Sequence, residues 1–313
     1  MQRCRKLADY ERALRAFYTQ RSLMDTFVHP TAAIASDPKP TLRRTPIILE
    51  PTKQIPINIR ELWEYRELLY FLIWRDLKVR YKQTILGAAW VLMQPLVMTL
   101  VFTIFLGHFA RVPSAGIPYA LLVFSGLIPW MFFSAAVISC GNSLVTNAQL
   151  ITKVYFPRVI VPLATIGARL VDFAISLVIL AGLMYYYRIP LTWKIAALPF
   201  FVIALTALAL AVGMLTSAWN VKYRDVGIML PVLVQLWMFV SPIVYPIEIV
   251  PERWRRLYAL NPLAGLIGGF RALLLNRELD LMALLMSVAT IVSLLVYALY
   301  VFRRMQRNFA DII

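Results

Sequence analysis

Charged residues in this chain are sorted along the sequence, not spread evenly through it. Arg75, Asp76, Lys78, Arg80 and Lys82 stand directly before residues 83–110, a stretch without Asp, Glu, Lys or Arg. Four more such stretches follow at 119–152, 195–221, 226–247 and 281–302. Another, 159–187, is interrupted only by Arg169 and Asp172. A helix needs roughly 20 apolar residues to cross the hydrocarbon of a bilayer. The pattern therefore predicts an all-α integral membrane protein with six transmembrane helices. Lys and Arg concentrate in cytoplasmic flanks. With both termini inside, the inner segments carry 23 Lys and Arg and the outer connections 8, so an N-in/C-in arrangement is expected. Pro95 in the first span, and Pro231 and Pro242 in the fifth, are expected kinks.

Residues 58–82 carry a different periodicity. Glu64, Glu67, Arg75, Lys78 and Lys82 recur at helical spacing, with Leu62, Tyr65, Leu69, Leu72, Trp74 and Tyr81 between them. Asn58 and Glu61 have the spacing of a capping box. This predicts an amphipathic interface helix bearing Trp74, Arg75, Lys78, Arg80, Tyr81 and Lys82, with residues 83–87 turning the chain into the first span. It serves either as a plain membrane anchor or as a shelf for a cytoplasmic partner. Residues 1–57, with six prolines between positions 30 and 56, read as a basic head and linker. Residues 83–305 form the transmembrane domain, and 306–313 a cytoplasmic tail.

One apolar stretch, 263–275, has 13 residues and contains Arg271. It is too short to span and reads as a re-entrant or interfacial segment between the fifth and sixth spans. Gly268 and Gly269 would let its backbone turn or approach a neighbour. An outer gate and a surface helix covering the bundle are both open readings. Arg169 and Asp172, at i,i+3, either pair with each other or face a channel wall or lipid headgroup.

Composition agrees with a bilayer environment. The chain of 313 residues is 60% hydrophobic and 15% charged, with a mean hydropathy of +0.70. A soluble domain would be about half apolar and a quarter charged. The net charge of +16 lies beside apolar runs instead of on a polar face, which argues against nucleic acid as partner. Cys4, Cys140, His29 and His108 are too few and too far apart for a disulfide framework or a metal cluster. An integral membrane glycosyltransferase would need paired carboxylates or a metal at the interface, but Asp172, Asp225, Glu248 and Glu252 are scattered. No charged pore ring or filter-like repeat marks a channel.

Four segments are familiar: ELWEYRELLYFLIWRDLKVRYKQTILGAAWVLMQPL, ITKVYFPRVIVPLA, NVKYRDV and NPLAGLIGGFRALLL. Together they resemble the membrane permease of ABC type 2 exporters, in particular those exporting O-antigen, capsule and teichoic acid chains. The resemblance covers about residues 45–305. It implies a homodimer of this chain in the cytoplasmic (inner) membrane, two copies of a separate ATP-binding subunit, and a lipid-linked polysaccharide substrate. ATP and magnesium would sit on the partner, since this chain has no G-x-x-x-x-G-K-[ST] phosphate loop and is not itself an enzyme.

By that resemblance Thr152, Lys153, Tyr155, Phe156 and Arg158 form the element that couples to the ATPase, with Lys222, Tyr223 and Arg224 as a lesser contact. Tyr155 and Phe156 are expected as aromatic anchors for a groove on the partner. The outer gate would comprise Asn261, Pro262, Gly265, Gly268, Gly269 and Arg271. Sugar C–H faces stack on aromatic rings, which makes Trp90, Phe102, Phe105, Trp130, Phe133, Trp237 and Phe239 candidate channel residues. Export of small lipids or drugs by the same class of permease is the alternative.

Overall fold

The structure, a computed structural model, describes residues 63–82, 89–112, 116–190, 192–245, 251, 254, 258, 260–306 and 309. The head at 1–57, the Asn58–Glu61 cap, the turn at 83–87 and the side chain of Trp90 lie outside these residues. Among the described residues every regular element is helical. In chain order they are α1 (Arg66–Lys82), α2 (Ala89–Phe102), α3 (Tyr119–Thr146), α4 (Ala148–Lys153), α5 (Ile160–Tyr186), α6 (Leu198–Lys222), α7 (Asp225–Phe239), α8 (Pro262–Leu274) and α9 (Leu281–Gln306). α2 runs on into a π-helical stretch, Thr103–Phe109, and a short 3-10 helix, Trp193–Ala197, leads into α6.

Among the described residues four helices are long and apolar enough to cross a membrane: α3, α5, α6 with its 3-10 lead, and α9. α2, α7 and α8 are shorter apolar helices. α3 is the axis of the bundle and packs against α2, α5, α6, α7 and α8. Small residues permit this. A Cβ added at Gly213 of α6 would lie 2.6 Å from Sγ of Cys140 on α3, so the crossing requires glycine there. Large apolar side chains elsewhere point outward. Leu100 and Phe105, Ile228, Val232 and Leu236, and Leu285, Val292 and Val296 are all exposed. Apolar stripes of this extent have lipid or another protein as their solvent.

Three boundaries differ from the sequence reading. The uncharged stretch 119–152 is two helices, because Asn147 bends the chain between α3 and α4. Its amide donates back to the Ser143 carbonyl at 2.8 Å, and its side-chain oxygen accepts from Arg75 at 2.8 Å. The stretch 226–247 is helical only to Phe239. Pro242 lacks the N–H that would continue the ladder, and the residue before a proline avoids the helical region. The segment 263–275 forms α8, Pro262–Leu274, and twelve of the thirteen residues of α8 are buried, which rules out a one-sided surface helix.

Candidate functional site

One end of the bundle gathers α1, α4, the loop leading to α5, the α6–α7 loop and the end of α9. A single apolar cluster binds them, including Leu72, Leu144, Ile151, Phe156, Val221 and Phe302. Polar side chains cover it. Arg75 donates to Asn147 and to Asp76, at 2.8 and 2.9 Å, tying α1 to the start of α4. An open groove of about 400 Å³ lies between Arg75, Asn147, Gln149 and Lys153. Thr152, Lys153 and Tyr155 project from this end, Tyr155 being 90% exposed. Lys222, Tyr223 and Arg224 are exposed on the neighbouring loop, with the Lys222 ammonium 5.0 Å from the Tyr223 ring.

Phe156 differs from its expected role as an outward anchor. It is only 5% exposed and packs into the cluster. The chain leaves α4 in extended conformation at Val154, and side chains on extended backbone alternate between faces. Tyr155 thus points away from the bundle and Phe156 into it. Arg158 also turns inward, donating to the Gln306 carbonyl. On α1, Trp74 is exposed beneath the Lys78 ammonium, 4.4 Å from the ring centre, and Lys82 is exposed.

Arg80 and Tyr81 reach the other way, to a charge inside α5. Both donate to the Asp172 carboxylate. Arg169, the sequence-predicted partner of Asp172, is farther off at 3.5 Å and places two nitrogens on Ser139 Oγ, at 2.6 and 3.1 Å. The i,i+3 pair is therefore one edge of a larger cluster joining α1, α3 and α5. A small pocket of about 100 Å³ opens beside it, lined by Gln94, Pro95, Arg169 and Asp172. Burial first, then the hydrogen bond to Asp172, pushes the Tyr81 phenol up to about 12. The neutral phenol is the donor, so the stability of this bond is fully present below pH 10 and is lost as pH rises through about 12. A phenolate-absorbance titration should show one fewer late-ionising tyrosine in Tyr81→Phe than in the wild type.

At the opposite end, Arg271 of α8 is buried, at 8% exposure. Its guanidinium donates to the carbonyls of Pro242 at 2.7 Å, Leu122 at 3.0 Å, Tyr245 at 3.2 Å, and Ile243. Three of these belong to the unwound chain after α7, whose carbonyls have no helical partner. Arg271 replaces the missing ladder, and α3 makes room for it with Gly126, where a Cβ would strike both the guanidinium and the Ile243 carbonyl. Asn261 works beside it. Its side-chain oxygen caps α8 at Leu263 N and accepts from the Trp237 indole, both at 3.1 Å, and its amide donates to Ser241 Oγ at 3.0 Å. Pro262 holds the first turn of α8. Gly265, Gly268, Gly269 and Arg271 line one wall of a cleft of about 270 Å³ whose other residues include Arg277, Glu278 and Asp280.

The candidate channel aromatics divide by face. Trp130 and Phe133 are buried in the core, and Phe133 meets Trp237 edge to face at 5.2 Å. Phe102 packs partly buried against the same core. Phe105 and Phe239 are exposed, on the outer faces of the π-helical stretch and α7. Among the described residues no group of three His, Cys, Asp or Glu could hold a metal ion.

A bundle with four membrane-length apolar helices, lipid-compatible outer faces and intramembrane charges held in internal clusters is a multi-pass membrane protein. The family profile of the ABC-2 type transporter matches residues 67–275, and this chain belongs to that family. The O-antigen export system permease protein RfbA of Myxococcus xanthus is 31% identical to it over 258 residues, covering 81% of this chain and 98% of that protein. A protein of the same name from Klebsiella pneumoniae is 28% identical over 79% of this chain and 95% of its own length. The polysialic acid transport protein KpsM of Escherichia coli is 22% identical over 62% of this chain and 75% of its own.

Proposed function

We propose that this chain is the transmembrane subunit of an ABC exporter that moves a lipid-linked polysaccharide across the cytoplasmic membrane. The observation that carries this reading is the 31% identity along almost the whole length of an O-antigen export permease. In this account the chain crosses the membrane six times with both termini in the cytoplasm. α2 and α7 serve as the first and fifth spans, and α8 is the re-entrant outer segment. Two copies meet along the exposed apolar faces of α2 and α7. The rings of Phe105 and Phe239 on those faces suit the C–H faces of sugars.

A separate ATP-binding subunit, two copies per transporter, supplies the energy. It docks at the end of the bundle where Tyr155, Lys153, Tyr223 and Arg224 project. ATP closes the partner dimer, and the docked elements pass that motion to the spans as a change between two packings of one bundle. The test is co-purification of this chain with its ATP-binding subunit in lipid, followed by ATP turnover. The account expects stable capture and altered turnover, both lost in Tyr155→Ala, while the fold is unaffected because the ring is 90% exposed. Wild-type capture and turnover in Tyr155→Ala would remove this loop from the docking surface.

A further inference from the structure

The tail that follows α9 is not free where it is described. Phe309 is only 1% exposed and packs edge to face on Phe302, with ring centres 5.5 Å apart. The Arg158 guanidinium lies 5.9 Å from the centre of the Phe309 ring and donates to the carbonyl of Gln306, the last residue of α9. A cation is favoured at a helix C-terminus, where the last carbonyls carry partial negative charge. Phe156 enters the same apolar cluster two residues earlier, beside Ile151, Ile160 and Val221. The loop at 154–158 is thus fixed at two points, by the cluster through Phe156 and by the end of α9 through Arg158. Tyr155, directly before them, faces away at 90% exposure.

We infer that Phe309 is a strap that sets the position of the 154–158 loop, with Arg158 and Phe309 as positioning residues. This rests on the reading of that loop as the coupling element. A pull on Tyr155 passes through Phe156 into α5 and α6, and through Arg158 into α9 and the strap. Without the strap, the loop still presents Tyr155 to a partner but no longer carries displacement into the last helix. Arg158, a candidate partner contact by sequence, acts within the chain.

The experiment uses the full chain with its ATP-binding subunit in lipid nanodiscs, comparing Arg158→Gln, Phe309→Ala and Phe309→Leu with wild type and with Tyr155→Ala. Three readouts are taken: capture of the subunit, the change in ATP turnover that this chain causes, and, in separate samples of this chain without the subunit, the mobility of a nitroxide placed through Tyr155→Cys. Capture should persist in Arg158→Gln and Phe309→Ala. The effect on turnover should fall by roughly two- to thirty-fold, the range for residues that carry coupling between sites. The nitroxide should become more mobile, and Phe309→Leu, which keeps an apolar group under the loop, should restore much of both. Arg158→Gln opens no cavity and decides the matter if Phe309→Ala does not fold. Unchanged turnover and nitroxide mobility in Arg158→Gln would overturn the strap. If Tyr155→Ala leaves capture and turnover intact, the coupling reading fails instead, and the nitroxide still judges whether the strap holds the loop.

Discussion

Arg271→Met is expected to lower the thermal midpoint of this chain in lipid sharply. Four carbonyls, on Leu122, Pro242, Ile243 and Tyr245, accept from one buried guanidinium. Methionine fills much of the volume but offers no donor. A buried polar group left unsatisfied costs about 1–3 kcal/mol, so even partial relaxation leaves a loss of about 3 kcal/mol or more. That is a large part of the roughly 5–15 kcal/mol that holds a domain together. Arg271→Lys should rescue little, since an ammonium is a point donor without the planar fork that spans several acceptors. Gly126→Ala should mimic the loss from the opposite side, because its methyl group would occupy the guanidinium's place. The readout is the thermal midpoint and the folded fraction of purified protein in nanodiscs. A wild-type midpoint in Arg271→Met would contradict the assignment of Arg271 as the clasp of the α7–α8 connection.

Asp172→Ala should have the next largest effect, and the pattern of rescue distinguishes a cluster from a pair. Removing the carboxylate takes the acceptor from Arg80 and Tyr81 and leaves two guanidiniums near each other. Breaking a fully buried ion pair costs about 3–5 kcal/mol. Here the side chains keep 15–27% exposure, so roughly 2–4 kcal/mol is expected. Arg169→Ala/Asp172→Ala should be no better than the single variant, because Arg80 and Tyr81 remain stranded. Arg80→Leu/Asp172→Leu should recover part of the midpoint, with Arg169 still held by Ser139 but Tyr81 left without its acceptor. Limited proteolysis should also show α1 loosened in Asp172→Ala. Full rescue by the Arg169→Ala/Asp172→Ala double variant would restore the simple i,i+3 pair.

The apolar runs were legible because a helix facing lipid must exclude charge for its whole length, and composition records that directly. The helicity of α1 was legible in the recurrence of its charged residues, but its faces were not: Leu72 is its one buried residue, and Tyr70, Phe71, Trp74 and Val79 are all exposed. Other features were hidden for physical reasons. Asp172 finds Arg80 and Tyr81 across about ninety residues, and nothing local to α5 names that partner. Tyr155 and Phe156 are adjacent aromatics in a short loop, where no periodicity tells the inward ring from the outward one. Trp130 and Phe133 could not be assigned a face because α3 is apolar all round, as a helix buried on every side must be. The early end of α7 had a signal in Pro242, but the uncharged run continued past it and masked the break. Arg271 carried a signal too. An arginine inside a short apolar stretch needs acceptors, and the unwound chain before α8 supplies them.

Export of a polysaccharide is tested most directly in the cell. This chain is depleted in its own host while glycan is followed on both sides of the cytoplasmic membrane, by surface labelling of intact cells and by labelling after lysis. The account predicts that surface polysaccharide falls while lipid-linked glycan accumulates inside, and that wild-type protein restores the surface signal but Tyr155→Ala does not. Unchanged surface polysaccharide with no internal accumulation would contradict it, and would point to a different cargo for the same permease architecture.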